Sequence, residues 1–147
     1  MSSRNDPPFA ATLQVRDSCL CLHLERAARR VARRFDEAFR PLDLTSGQYS
    51  LLMALNRLPA PNVGEVAAVL GMDRTTLTAN LKPLDRRSLV HIEIDPADRR
   101  GRRLTLTDAG RARLAKAVPI WRRTHAAIER TLTRDAEDLR ADLRALS

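Results

Sequence analysis

The sequence predicts a mainly α-helical chain carrying one small β-hairpin. Three observations lead there. Apolar residues recur at helical spacing over most of the length, two short helical segments flank Gly71, and the stretch from Val90 to Ile94 switches to strict alternation. With 147 residues the expectation is one domain able to bury a real core. A composition of 44% hydrophobic and 30% charged residues excludes a disordered chain. No segment approaches the ~20 consecutive apolar residues that cross a bilayer. The opening MSSRNDPPFAA lacks the apolar core of a signal peptide, and both cysteines fall inside a periodic segment, so a cytoplasmic location is expected.

Residues 1–10, rich in Ser, Asn, Asp and Pro, read as a loose tail. From there Leu13, Leu20, Leu24, Ala27, Ala28, Val31, Phe35 and Phe39 make one stripe, predicting a single helix of about thirty residues over 11–41 that ends at Pro41. Its other face carries Arg26, Arg29, Arg30, Arg33 and Arg34, which fit either a solvated surface or a phosphate contact. Thr45-Ser46-Gly47-Gln48 starts the next helix, with Gln48 placed as the capping-box partner of Thr45. That helix, apolar on most sides, belongs in the core and runs to Arg57, where Leu58-Pro59-Ala60-Pro61-Asn62 ends it.

Val63 to Leu70 is a short helix stopped by Gly71 in the position that favours positive φ. Another begins at Asp73 or Arg74 and runs to about Arg87, interrupted by Pro83, which should bend its C-terminal half. Two short helices around a glycine-containing turn are a helix-turn-helix. Next, Val90-His91-Ile92-Glu93-Ile94 alternates as a half-buried strand does, Asp95-Pro96-Ala97-Asp98 is turn chemistry, Arg99 to Arg103 is a basic tip, and Leu104-Thr105-Leu106 alternates again. A hairpin after a helix-turn-helix is a winged-helix arrangement. Thr107 to Gly110 caps a long helix running through Trp121 towards Arg130, and Thr133 caps a last helix bearing Leu139, Leu143 and Leu146.

Lys+Arg 26 against Asp+Glu 18 leaves a net charge of +8, and Lys82 and Lys116 are the only lysines. Arginine therefore carries the charge, and its planar fork suits phosphates and base edges. There is no Ser-His-Asp ordering, no phosphate-cradling Gly-rich loop and no His/Cys set with metal-ligand spacing, so no enzyme, catalytic residue, cofactor or metal is expected. At the start of the recognition helix, Arg74, Thr75 and Thr76 sit where amides and short polar side chains reach phosphates or base edges, although the threonines also fit simple capping; Asp73 reads as the cap. Thr75, Thr78 and Lys82 share one face, opposite the apolar Leu77, Leu81 and Leu84, and Asn80 falls between.

Leu44-Thr45-x-x-Gln48-Tyr49-x-Leu51-Leu52, Val66-Ala67-x-x-Leu70-Gly71-Met72-Asp73-Arg74-Thr75-Thr76-Leu77-Thr78, Asp95-Pro96-x-Asp98-Arg99-Arg100 and Leu104-Thr105-Leu106-Thr107-x-x-Gly110, in this order and spacing, resemble the MarR family of bacterial winged-helix transcription regulators. The resemblance covers nearly the whole chain. It implies one domain in which 45–107 form a winged-helix DNA-binding lobe and 11–41 and 111–147 are dimerisation helices. It implies a homodimer on a pseudo-palindromic, inverted-repeat operator in double-stranded DNA, each protomer placing its recognition helix in a major groove and its wing in the flanking minor groove. In the wing, Asp98-Arg99-Arg100 looks like the family's Asp-x-Arg, in which Asp98 holds Arg100 towards the minor groove, with Arg99, Arg102 and Arg103 as further phosphate or groove contacts. The family often has a basic residue where this chain has Ala79.

Cys19, Cys21 and His23 lie together near the chain start. Cys21 stands 28 residues before Tyr49, the spacing at which regulators similar to the organic hydroperoxide sensors carry their reactive thiol, so Cys21 and Cys19 are redox-sensor candidates. A structural cysteine and a Cys19–His23 metal site are the other readings. The tyrosines that accompany that thiol are replaced here by Glu25, Phe35 and Ser46. The family also implies a small phenolic or aromatic effector, for which Arg16, His23 and Trp121 are cleft candidates. The resulting reading is a sequence-specific DNA-binding repressor released by a small molecule or an oxidant; the alternative is a constitutive architectural DNA-binding protein without an effector.

Overall fold

The computed structural model describes residues 6–147. The elements are α1 (Phe9–Ser18), α2 (Leu20–Phe39), a 3₁₀ turn (Arg40–Leu42), α3 (Ser46–Leu55), α4 (Val63–Leu70), α5 (Arg74–Arg86), β1 (Val90–Asp95), β2 (Asp98–Leu106), α6 (Asp108–Glu129) and α7 (Ala136–Ala145). This is the expected mainly helical fold with one hairpin. Part of the tail expected over 1–10 lies outside the described residues, and Phe9 and Ala10 already belong to α1.

The expected single helix over 11–41 is two helices. Cys19 adopts φ −69°, ψ 113°, an extended conformation between α1 and α2. The ladder carries on around the break, since the Cys19 amide donates to the Val15 carbonyl and the His23 amide to the Cys19 carbonyl. One residue earlier the Ser18 hydroxyl donates back to the Gln14 carbonyl, a bond that competes with the ladder and bends helices. α1 buries none of its residues, so among the described residues no buried contact holds it in line with α2.

The core forms where the stripe of α2 meets α3. Phe39 is fully buried, stacks on Tyr49 with ring centroids 4.7 Å apart, and has Phe35 5.8 Å away on its other side. Leu51, Leu52 and Leu55 of α3 pack with Val66 of α4, Leu77, Leu81 and Leu84 of α5, Val90 and Leu104 of the hairpin, and Leu114 of α6. Each such side chain contributes about 1.5–3 kcal/mol by leaving water. The helix ends follow local chemistry. Thr45 and Gln48 form the expected capping box, Asn62 and Glu65 form a second, Gly71 ends α4 at φ 64°, and Asp73 caps α5. The last helix is capped by Asp135, not Thr133, because Thr131 and Leu132 close a turn onto Ile128 and Glu129 first.

The hairpin pairs Val90 with Leu106 through Ile94 with Arg102, then Asp95 with Asp98. Arg99, Arg100 and Gly101 are therefore extra residues on β2, bulged between two paired positions; the basic segment is strand edge, not a free loop. The Leu104 amide donates to the Pro61 carbonyl and Asn62 bridges Arg103, so the segment leading into α4 lies along β2. At the far end of the hairpin, α6 begins against Leu89. A Cβ on Gly110 would lie 2.0 Å from the Leu89 carbonyl oxygen, which explains glycine there by closeness of approach.

Candidate nucleic-acid interface and adjoining cleft

Burying Leu77, Leu81 and Leu84 turns the other side of α5 outwards. Thr75, Thr78, Asn80 and Lys82 are all exposed. At the helix start, Asp73 accepts the Thr76 amide and the Thr76 hydroxyl, each at 2.8 Å. The amide first, then the hydroxyl, hold its carboxyl below the usual carboxylate range. Thr76 is thus committed to the cap. The Thr78 hydroxyl donates to the Arg74 carbonyl at 2.8 Å, which leaves its oxygen free to accept. Arg74 packs over Gly64, where a Cβ would meet its guanidinium at 2.8 Å.

Arg74 and Thr78 of α5 and Arg100 and Arg102 of β2 line one cleft of about 340 Å³, closed on its other sides by Gly64 and Asp98. Recognition helix and wing thus face a common basic hollow. Asp98 acts here through the backbone: its carboxylate accepts the Arg100 amide at 3.0 Å, while the Arg100 guanidinium has no carboxylate partner among the described residues. Arg102 donates to the Gly101 carbonyl at 3.0 Å. Arg103 departs from expectation. Its guanidinium lies 3.1 Å from the carboxylate of buried Asp95 and donates to the Ala60 carbonyl at 2.7 Å, so it ties the wing to the loop before α4 and is spent as a groove contact. A buried carboxylate that lost this partner would be costly, which is why the arginine is drawn inwards.

A second cleft, of about 390 Å³, opens where α2, α3 and α6 meet. Phe35, Tyr49, Met53, Val118 and Trp121 make it apolar and aromatic, and Arg122 brings a positive charge. Burial pushes the Tyr49 phenol up, with the Arg122 charge opposing, so it stays a neutral hydroxyl at neutral pH. Trp121 is where the sequence placed it, stacked on His125 at 4.7 Å. Arg16 and His23 are elsewhere. Arg16 pairs with its neighbour Asp17 on α1, and His23 lies about 120° around α2 from Phe35, with its ring 2.7 Å from the Cys19 carbonyl oxygen and bordering an open hollow with Arg26, Arg30 and Arg33. Tyr49, Met53 and Arg122 were missed. Tyr49 and Met53 are four apart on α3, and Val118, Trp121 and Arg122 are three and four apart on α6, a signal visible only once the two helices are known to face each other.

Cys19 and Cys21 are both free thiols, the first half-buried and the second exposed. The Cys21 sulfur sits 3.6 Å from a Glu25 carboxylate oxygen, and Glu25 also pairs with Arg29. The hydrogen bond to that carboxylate, then its charge, raise the Cys21 pKa above the ordinary thiol value. The Glu25 carboxylate therefore favours the thiol over the reactive thiolate.

A helix-turn-helix followed by a two-stranded wing that shares its basic cleft defines the winged-helix class of protein. The sequence profile of the MarR family matches residues 42–101. The transcriptional regulator MosR of M. tuberculosis, solved in complex with DNA, is 39% identical and superposes with a TM-score of 0.81 over 88% of this chain and 93% of that one. The transcriptional repressor CouR bound to a 23-mer DNA duplex is 34% identical, with a TM-score of 0.71 over 90% and 92%. The transcriptional regulator HosA of Escherichia coli O111:H- is 39% identical over 80 residues, 53% of this chain and 58% of that protein, so the match spans little more than half its length. The chain belongs to the MarR family of winged-helix transcriptional regulators.

Proposed function

We propose that this protein is a homodimeric repressor that binds an inverted-repeat operator and releases it when a small aromatic ligand enters the cleft beside Trp121. The observation that carries the reading is the shared hollow of α5 and wing, where Arg74, Thr78, Arg100 and Arg102 converge from two elements. The recognition helix is read as the major-groove element, through Arg74, Thr75, Thr78, Asn80 and Lys82, and Arg99, Arg100 and Arg102 as the wing contacts. Thr76 and Asp98 support the interface through its backbone. Two copies are argued from the two terminal helical regions: Leu20, Leu24, Leu143 and Leu146 are exposed in the protomer, and no layer among the described residues covers them. The lobe from 45 to 107 does the reading, and the helices on either side make the dimer.

The ligand reading rests on the apolar walls, the neutral Tyr49 hydroxyl and the Arg122 charge, which fit a planar aromatic acid or thioester. CouR has also been solved bound to p-coumaroyl-CoA. The hydrogen bond from Cys21 to Glu25 favours a ligand over an oxidant as the signal. The test is selection of bound duplexes from random DNA, followed by titration of aromatic acids and p-coumaroyl-CoA into the selected complex. An inverted repeat with half-sites one helical turn apart, preferred by about 10³-fold or more over random DNA, is the expected result. Binding without sequence preference would replace the repressor by an architectural DNA-binding protein.

A further inference from the structure

At its far end, where Leu84 is buried in the core, the recognition helix is joined to the turn between α2 and α3 by a single side chain. α5 loses a ladder bond at Pro83 and stops at Arg86; Arg87 caps it with φ −86°, ψ 4°. From there the Arg87 guanidinium reaches back 44 residues to the turn between α2 and α3. It donates to the Asp43 carbonyl at 2.7 Å, lies 3.2 Å from the Asp43 carboxylate and 3.4 Å from the Gln48 side-chain oxygen. The Gln48 oxygen also accepts the Thr45 amide in the α3 cap. Asp43 holds a left-handed φ of 52°, which turns its carbonyl to meet the guanidinium.

The same turn is gripped from the other side. Arg113 of α6 donates to the Leu42 carbonyl, so consecutive carbonyls receive one guanidinium from the long arm and one from the recognition helix. α3, which starts at this turn, also supplies Ser46, Tyr49 and Met53 to the aromatic cleft. An exposed ion pair alone would contribute little, and the Asp43 carboxylate is almost fully exposed. The weight therefore falls on the fork, only 29% exposed, whose two nitrogens meet a carbonyl and an amide oxygen and so fix an orientation. Arg87 does not line the hollow between α5 and the wing.

We infer that Arg87 is a positioning residue: it sets the tilt of the recognition helix against the α2–α6 arms, and thereby the half-site spacing that a dimer accepts. This rests on the operator-binding reading above. Because the arms carry the partner, a small rotation of α5 about its buried Leu77 and Leu81 moves the two recognition helices relative to each other. Binding to one half-site, or to random DNA, is insensitive to that tilt; matching two half-sites at once is not.

The experiment uses the full-length protein, the operator obtained by selection, and two versions of it with the half-site spacing changed by one base pair. Wild type, Arg87→Gln and Arg87→Lys are compared by fluorescence anisotropy at several salt concentrations, with circular dichroism to verify folding. Arg87→Gln should lose about tenfold or more of its preference for the correct spacing. Its affinity for random DNA and its log K against log salt slope should stay as in wild type, and Arg87→Lys should recover part of the discrimination. A uniform loss with a slope shallower by about one per protomer would make Arg87 a phosphate contact instead. Unchanged spacing discrimination, or equal weakening on all DNAs with a lowered melting temperature, would overturn the inference. Wild type showing no preferred inverted repeat at all would remove the function it rests on, a result read before any variant is compared.

Discussion

Replacing Asp98 separates two ways in which a carboxylate can serve an arginine. If its oxygen holds the Arg100 amide at 3.0 Å, as the structure shows, what matters is an acceptor at that place, not its charge. Loss of the bond in Asp98→Ala should cost about 0.5–1.5 kcal/mol per wing, the net value of an exposed hydrogen bond, because Arg100 must then be ordered on binding. Removing a negative charge works the other way. A carboxylate some 7 Å from a phosphate repels it by about 0.6 kcal/mol in water, less with salt. The charge effect offsets the lost bond only in part in the alanine variant. Asp98→Asn resolves them, since its amide oxygen still accepts the Arg100 N–H while the charge is gone. It should bind operator at least as tightly as wild type, with Asp98→Ala the weakest of the three. Arg100→Ala should lose about 1–3 kcal/mol and flatten the salt slope by about 0.9 per protomer. All three substitutions sit on exposed wing positions, so melting temperatures should stay within a degree or two. Fluorescence anisotropy at two salt concentrations gives the order. Asp98→Asn as weak as Asp98→Ala would mean that the carboxylate grips the guanidinium itself, and the backbone account would be refuted.

Gly110→Ala should destabilise the fold although alanine is the better helix former, because the new Cβ meets the Leu89 carbonyl oxygen at 2.0 Å and that oxygen already accepts the Thr107 amide. A cost of about 1–3 kcal/mol would lower the melting temperature by about 4 °C or more in thermal denaturation; an unchanged melting point would show that α6 shifts freely on the wing. For the thiols, Cys21 should alkylate more slowly at pH 8 than a free cysteine, and Glu25→Gln should speed it by returning the pKa towards the ordinary value. Iodoacetamide kinetics with mass-spectrometric localisation measure this, and a rate indifferent to Glu25 would dismiss the carboxylate as the protecting group.

Local signals carried most of the secondary structure into the sequence. Gly71 at positive φ, the Thr45–Gln48 box, Asp73 before the recognition helix and the Leu77, Leu81, Leu84 stripe act within a turn or two of the chain, so they are legible without a partner. The same holds for the alternation from Val90 to Ile94 and from Leu104 to Leu106, which the hairpin register then aligned. What only the tertiary structure decided are relations between residues distant in the chain. Arg103 was one of several arginines in a basic run, and nothing near it says that buried Asp95 and the Ala60 carbonyl would claim it while Arg100 stays unpaired. Arg16, His23 and Trp121 share no cleft because the chain bends at Cys19 and His23 points off the core face of α2, whereas Tyr49, Met53 and Arg122 meet Trp121 through the packing of α3 against α6. Arg87 finds Asp43 across 44 residues. Periodicity and caps arise from short-range sterics and hydrogen bonds that each segment satisfies alone. Which arginine is paired and which is free depends on which carboxylates and carbonyls the folded chain brings within reach.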